Sequence, residues 1–180
     1  MKEKKHVLLK LTILVLIIAA IFGTINAVWY FGYKKTYDDF AEVMEELSSE
    51  AKKGNEFEII SDDCVCRLNM PKYLGSGGSL TVHKAEKIQY QFDEKGNLIN
   101  GDEKTVILHI WPQKFGEYKY GVTVMNPLTT QQIEIYPDGS IVPQENGNTE
   151  LDESNQATLE IYREEILHYI DVAYTLWGIQ

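Results

Sequence analysis

Cysteine is nearly absent: Cys64 and Cys66 are the only two in 180 residues. That excludes a disulfide framework and a four-thiolate zinc site, and no histidine or second cysteine pair completes a ligand set around them. A bridge between the two is also disfavoured. Positions i and i+2 of an extended strand point the same way, with Cβ atoms too far apart for a relaxed disulfide. Cys64 and Cys66 therefore read as two small buried residues on one strand face. A strained, reducible thiol pair is the alternative. Basic residues are scarce beyond position 35. The first 35 residues hold six Lys and one Glu, a net of +5, and the whole chain carries −10, so the remainder carries −15. A surface of that sign repels DNA and RNA, and nucleic acid is excluded as a partner.

Chemical signatures are missing as well. No serine sits in the glycine-flanked elbow of a hydrolase, and no cysteine in a thiol-protease context. His83, His109 and His168 lie on separate elements, and none forms a paired-histidine zinc motif. Gly75-Ser76-Gly77-Gly78-Ser79 is the only glycine-rich stretch. No Lys-Ser or Lys-Thr follows it and no helical pattern begins there, which excludes a phosphate cradle and leaves a hairpin tip. Asp38-Asp39 and Asp62-Asp63 lack the spaced ligands of a calcium loop. No catalytic residue, cofactor or metal site is assigned.

What the chain does have is one long uncharged run, Leu11 to Tyr33. As a helix it spans roughly 35 Å, enough to cross a bilayer core of about 30 Å. Lys2, Lys4, Lys5 and Lys10 precede it, and Lys34 and Lys35 follow. The excess of basic residues before the run puts the N-terminus in the cytoplasm and the remainder outside. Trp29, Tyr30, Phe31 and Tyr33 cluster at the outer end, as rings that prefer the headgroup layer do. The chain then divides into a basic tail (1–10), a signal-anchor helix (11–33) and an extracytoplasmic domain (34–180). The rival is a cleaved signal peptide with its cut near Ala27, giving a secreted product. It requires Ile25 at a position that favours small residues, and the apolar character runs on through Phe31. The run contains no acid, which a pilin-like helix would need.

The remaining residues are enough for one domain with a real core, too aromatic to be disordered. Tyr37, Phe40, Ala41, Met44, Leu47 and Ala51 recur at helical spacing opposite an acidic face. Thr36 is the candidate cap, unless the helix continues straight from the anchor. Strand patterns follow over Phe57–Ile59, Cys64–Met70, Val82 with Ile88–Phe92, Asn97–Ile99, Thr105–Trp111, Tyr118–Met125 and Gln131–Tyr136. Pro137-Asp138-Gly139 is a sharp turn, returning through Ser140–Val142. Glu145–Asn155 reads as a polar loop. Leu159, Tyr162, Ile166, Tyr169, Ala173 and Leu176, widened by Ile170 and Trp177, form an amphipathic helix capped by Ser154 or Asn155 and ended by Gly178. The expected fold is α+β: an N-terminal transmembrane helix, then an antiparallel sheet flanked by a short N-terminal and a longer C-terminal amphipathic helix.

An anchor without a catalytic constellation points to a single-pass membrane protein of a bacterial envelope. It would bind a protein partner as adaptor, assembly factor or sensor. An anchored hydrolase using carboxylates, with His83 or His109, and a secreted small-ligand-binding protein are the alternatives. Oligomeric state and partner identity are not encoded in these patterns.

Overall fold

The computed structural model describes residues 2–144 and 149–179. One helix runs unbroken from α1 (Lys2–Trp29) through a wide π-helical turn (Tyr30–Lys34) into α2 (Lys35–Leu47). Backbone angles at the joins stay right-handed helical, with Lys34 at φ −62 and Lys35 at φ −54. Thr36 therefore caps nothing, and the continuous alternative holds. The apolar part is long enough to cross a membrane, and its most apolar 18 residues are not buried against the rest of the chain. Lys34 pairs with Asp38, and Lys35 with Asp39, one turn on, supporting the helix just past the π-helical turn. Tyr37, Phe40, Ala41 and Met44 then enter the core. Leu47 belongs to the same stripe but is exposed, because Ser48 turns extended (φ −152, ψ 120) and lifts the chain away.

Seven strands follow in sequence order, each antiparallel to the one before. They are β1 (Lys52–Lys53), β2 (Glu56–Ser61), β3 (Cys64–Asn69), β4 (Ser79–Lys84), β5 (Thr105–Pro112), β6 (Tyr118–Met125) and β7 (Thr130–Ile135). A single register row, Ile59–Cys66–Val82–Leu108–Val122–Ile133, crosses six of them, and every member is buried. Alternation along each strand sends these residues to one face and their neighbours to the other. Each such aliphatic side chain contributes about 1.5–3 kcal/mol by leaving water. The β2–β3 hairpin closes on Asp62 and Asp63 at φ 49 and 57, the doubly positive turn that matches strand twist.

Two strand expectations fail together. Ile88–Phe92 alternates as a strand should, and Asn97–Ile99 is a second strand pattern just after it, yet only Phe92 and Leu98 form a bridge. The reason is topological. Both edges of β4 are occupied, by β3 and β5, so the segment between β4 and β5 has no free edge to join. It forms a loop instead. Asn100 bonds the backbone of Gln89 and Gln91, and the Tyr90 hydroxyl donates to the Met125 carbonyl.

The C-terminal helix is two helices, α3 (Thr149–Ile161) and α4 (Arg163–Trp177), broken at Tyr162 (φ −106, ψ 15). From Thr149 onward the expected polar loop is therefore helical; its first part, 145–148, lies outside the described residues. Asn155 is not a cap but a buried side chain within α3, accepting from Gln131 Nε2 at 2.8 Å. Gly178 does end α4, at φ 63, with its N–H donating to the Tyr174 carbonyl. Phe40 of α2 and Trp177 of α4 meet at 6.3 Å between ring centroids. The two helices thus lie side by side on one face of the sheet, not on opposite faces. The molecule is an α+β two-layer fold, and among the described residues no helix lies on the second sheet face.

Candidate functional site

Three places concentrate polar and aromatic groups. The first is the exit of the apolar helix. Of the four residues expected at a membrane interface, Tyr30 and Phe31 are exposed and pack edge to face at 5.1 Å. Trp29 is half-buried. Tyr33 turns toward the domain, where its hydroxyl accepts from the Gly78 N–H (3.1 Å) and lies 3.1 Å from the Tyr37 hydroxyl. Tyr37 donates onward to the Pro112 carbonyl at 3.3 Å. Burial, reinforced by Tyr33, pushes the Tyr37 phenol well above its ordinary range, so it keeps its proton and can donate. Gly78 is required: a Cβ there would lie 2.4 Å from the Tyr37 ring and 2.6 Å from the Asn69 carbonyl oxygen.

The second is the helix-free sheet face. His109 and Trp111 project from β5 on this side and stack at 5.4 Å, nearly parallel at 6°. The Trp111 ring lies against Gly121 of β6, where a Cβ would come within 2.9 Å of it. His109 Nε2 and Thr123 Oγ1 are 3.0 Å apart. Burial lowers the His109 pKa, so the imidazole is neutral at pH 7. Lys119 and Glu134 form a loose pair at 3.9 Å on the rim. Together with Gln132 and Gln144 they outline an open groove of about 340 Å³. A flat aromatic shelf ringed by amide, hydroxyl and paired charges is recognition chemistry. The Thr123–His109 contact is the start of a nucleophile–base pair. However, Thr123 is buried, and among the described residues no carboxylate is bonded to the other ring nitrogen.

The third lies at the opposite end of the sheet from the helix exit. Cys64 Sγ is 3.7 Å from His168 Nε2, and the same nitrogen is 3.7 Å from Asp62 Oδ2. A thiol–imidazole–acid relay needs its acid on the other nitrogen. Here both crowd one, and burial, with Asp62, Asp63 and Glu165 nearby, pushes the Cys64 thiol up. It remains a thiol and a poor nucleophile. Cys66, deeper, is pushed up to about 12. Both are free thiols side by side on the core face. His168 is 104 residues from Cys64 along the chain, and only the docking of α4 brings them together. His83 and His109 share a sheet face but not a partner: His83 Nδ1 lies 2.9 Å from the Lys84 carbonyl. Among the described residues no group of three metal-ligating side chains converges.

Comparison of the chain with protein-family models, with curated proteins and with solved structures finds no match.

Proposed function

We propose that this is a single-pass, membrane-anchored binding or adaptor protein of the bacterial envelope, with residues 1–10 in the cytoplasm and residues 34–180 outside. The observation that carries the reading is the uninterrupted helix. The uncharged span passes straight into α2, whose Tyr37 and Met44 are fully buried in the core. Anchor and domain are therefore mechanically one piece, which suits a protein that holds a partner at a fixed place beside the membrane. The helix-free sheet face is the partner surface: it offers the Trp111–His109 shelf, and Ile60 stands 72 % exposed on the same side.

The test has two arms. Leu128→Cys on intact spheroplasts should react with an impermeant maleimide, because the turn carrying it belongs to the outer domain; labelling only after lysis would reverse the topology. A photo-crosslinking residue at Thr81, beside His109 on the sheet face, should give one discrete adduct in membranes. That adduct should disappear with Trp111→Ala. No Trp111-dependent adduct, together with substrate turnover by the purified protein, would favour the anchored hydrolase instead.

A further inference from the structure

Two loops at the membrane end of the sheet reach the helix exit. The β5–β6 connection folds as a short turn, Lys114–Gly116, and brings the Phe115 ring against Gly32; a Cβ on Gly32 would lie 3.2 Å from Phe115 Cε1. The β3–β4 connection, 70–78, is tied to the same helix by the Gly78–Tyr33 hydrogen bond. Gly32 lies 21 residues beyond Leu11, about 32 Å along the helix, which is the far edge of a bilayer core of about 30 Å. Both loops thus stand at headgroup depth if the run spans.

The side chains they present fit that depth. Phe115 is 78 % exposed and holds φ +63, a backbone state unfavourable for a bulky residue, without gaining a protein core in return. Tyr73 is 69 % exposed, and Leu74 beside it is also exposed. Phe31, one residue before Gly32, is 72 % exposed. Residues 70–78 contain one lysine and no acid, in a domain carrying −15. The connection 85–104, at the other end of the sheet, has five acids against three lysines. Lys72 and Lys114 flank the apolar tips, and the acids at this end of the sheet, Glu56 and Glu117, stand at the strand ends and not at the tips.

We infer that Phe115 and the Tyr73-Leu74 pair sit in the lipid headgroup layer, so that the domain rests on the bilayer through two loops as well as its helix. The occupant is lipid rather than protein because the patch is continuous with the span itself. This inference rests on the anchored reading. It goes beyond that reading by fixing how the domain is tilted: the membrane end of the sheet is down and the Asp62-Asp63 hairpin is up.

The experiment uses the full chain in vesicles of phosphatidylethanolamine and phosphatidylglycerol. An environment-sensitive fluorophore is placed singly at Phe115→Cys, Tyr73→Cys and Leu128→Cys, the last on the β6–β7 turn at the distal end. The unsubstituted chain, with both thiols buried, supplies the blank. The labels at 115 and 73 should emit to the blue of that at 128, be quenched by a nitroxide near the lipid headgroup, and resist iodide several-fold better. Iodide quenching at 115 and 73 equal to that at 128, in protein that survives alkaline carbonate extraction, overturns the two-loop seat and leaves the anchor standing. Protection at only one of the two sites also overturns it. Release of the chain by carbonate removes both readings.

Discussion

Replacing Gly78 by alanine tests the joint between helix and sheet. The new methyl would start 2.4 Å from the Tyr37 ring and 2.6 Å from the Asn69 carbonyl oxygen. Carbon atoms settle at about 3.5–4.0 Å, so one side must give by about an ångström. Neither is free to do so. Tyr37 is fully buried, and Asn69 is paired in β3 with both Glu56 and Ser79. Overpacking a tight site costs about 1–3 kcal/mol. Displacing the Tyr37 ring also strains its bond to Pro112 and the Gly78–Tyr33 bond, adding about 1 kcal/mol between them. A loss of about 2–4 kcal/mol follows. With a urea slope near 2 kcal/mol/M, the unfolding midpoint falls by about 1–2 M. The readout is intrinsic tryptophan fluorescence of the full chain in detergent micelles, since Trp177 is buried beside Phe40 of α2. Gly77→Ala is the internal control. Nothing lies within 4 Å of its added methyl, so its midpoint should stay within the equivalent of about 0.5 kcal/mol. A Gly78→Ala protein as stable as wild type, or a Gly77→Ala protein equally damaged, would refute the close-approach argument.

Other consequences are open to measurement. Lys53 and Arg67 hold the Glu58 carboxylate down to about 2, so its ion pairs stabilise the fold above the ordinary pKa of 4.5 and that contribution is lost as pH falls from there through about 2. Because both partners are largely in water, Glu58→Gln should cost only about 1 kcal/mol at pH 7, and its deficit against wild type should vanish near pH 2 in denaturation curves. Neither Cys64 nor Cys66 should react with a maleimide in the folded protein at pH 7, and both should react in guanidinium; fast labelling of Cys64 in the folded state would contradict its protonated, buried placement. Leu108→Ala, at the middle of the buried register row, should destabilise by about 2–5 kcal/mol, whereas Ile60→Ala on the opposite face should change stability little, both read from urea midpoints.

Much of this fold was legible because periodicity and burial agree. Tyr118–Met125 appears in the structure with the bounds its pattern gives, and Thr105–Trp111 gains only Pro112. The same alternation in Ile88–Phe92 misled, since a strand needs a free edge and local sequence does not record that β5 already occupies it. The polar composition of Thr149–Asn155 masked a helix; α3 needs only Asn155 and Leu159 inward, too few to mark a stripe. The layer order was also illegible. Two amphipathic helices fit one face or two equally well until Phe40 meets Trp177. The aromatic belt was read as one cluster, but a helix face divides it: Tyr30 and Phe31 point outward while Tyr33 bonds to Gly78. The Trp111–Gly121 contact and the Cys64–His168 contact join residues from separate elements. A glycine in the middle of an apolar strand was the one local sign that another side chain lies close.

A sheet whose every strand pairs with its predecessor can be assembled in the order of synthesis. No strand must wait for a later one to be inserted between it and its neighbour. Closure times for such short hairpins are microseconds, far faster than translation, so each new strand can dock as it leaves the ribosome or a translocation channel. One piece docks only after the sheet is complete. α4 supplies Tyr169, Ala173, Leu176 and Trp177 to the core, and it follows every strand in the chain. Until it arrives, the apolar side of the finished sheet is covered only by α2 and the inward residues of α3, and the nascent domain is at its stickiest in that interval.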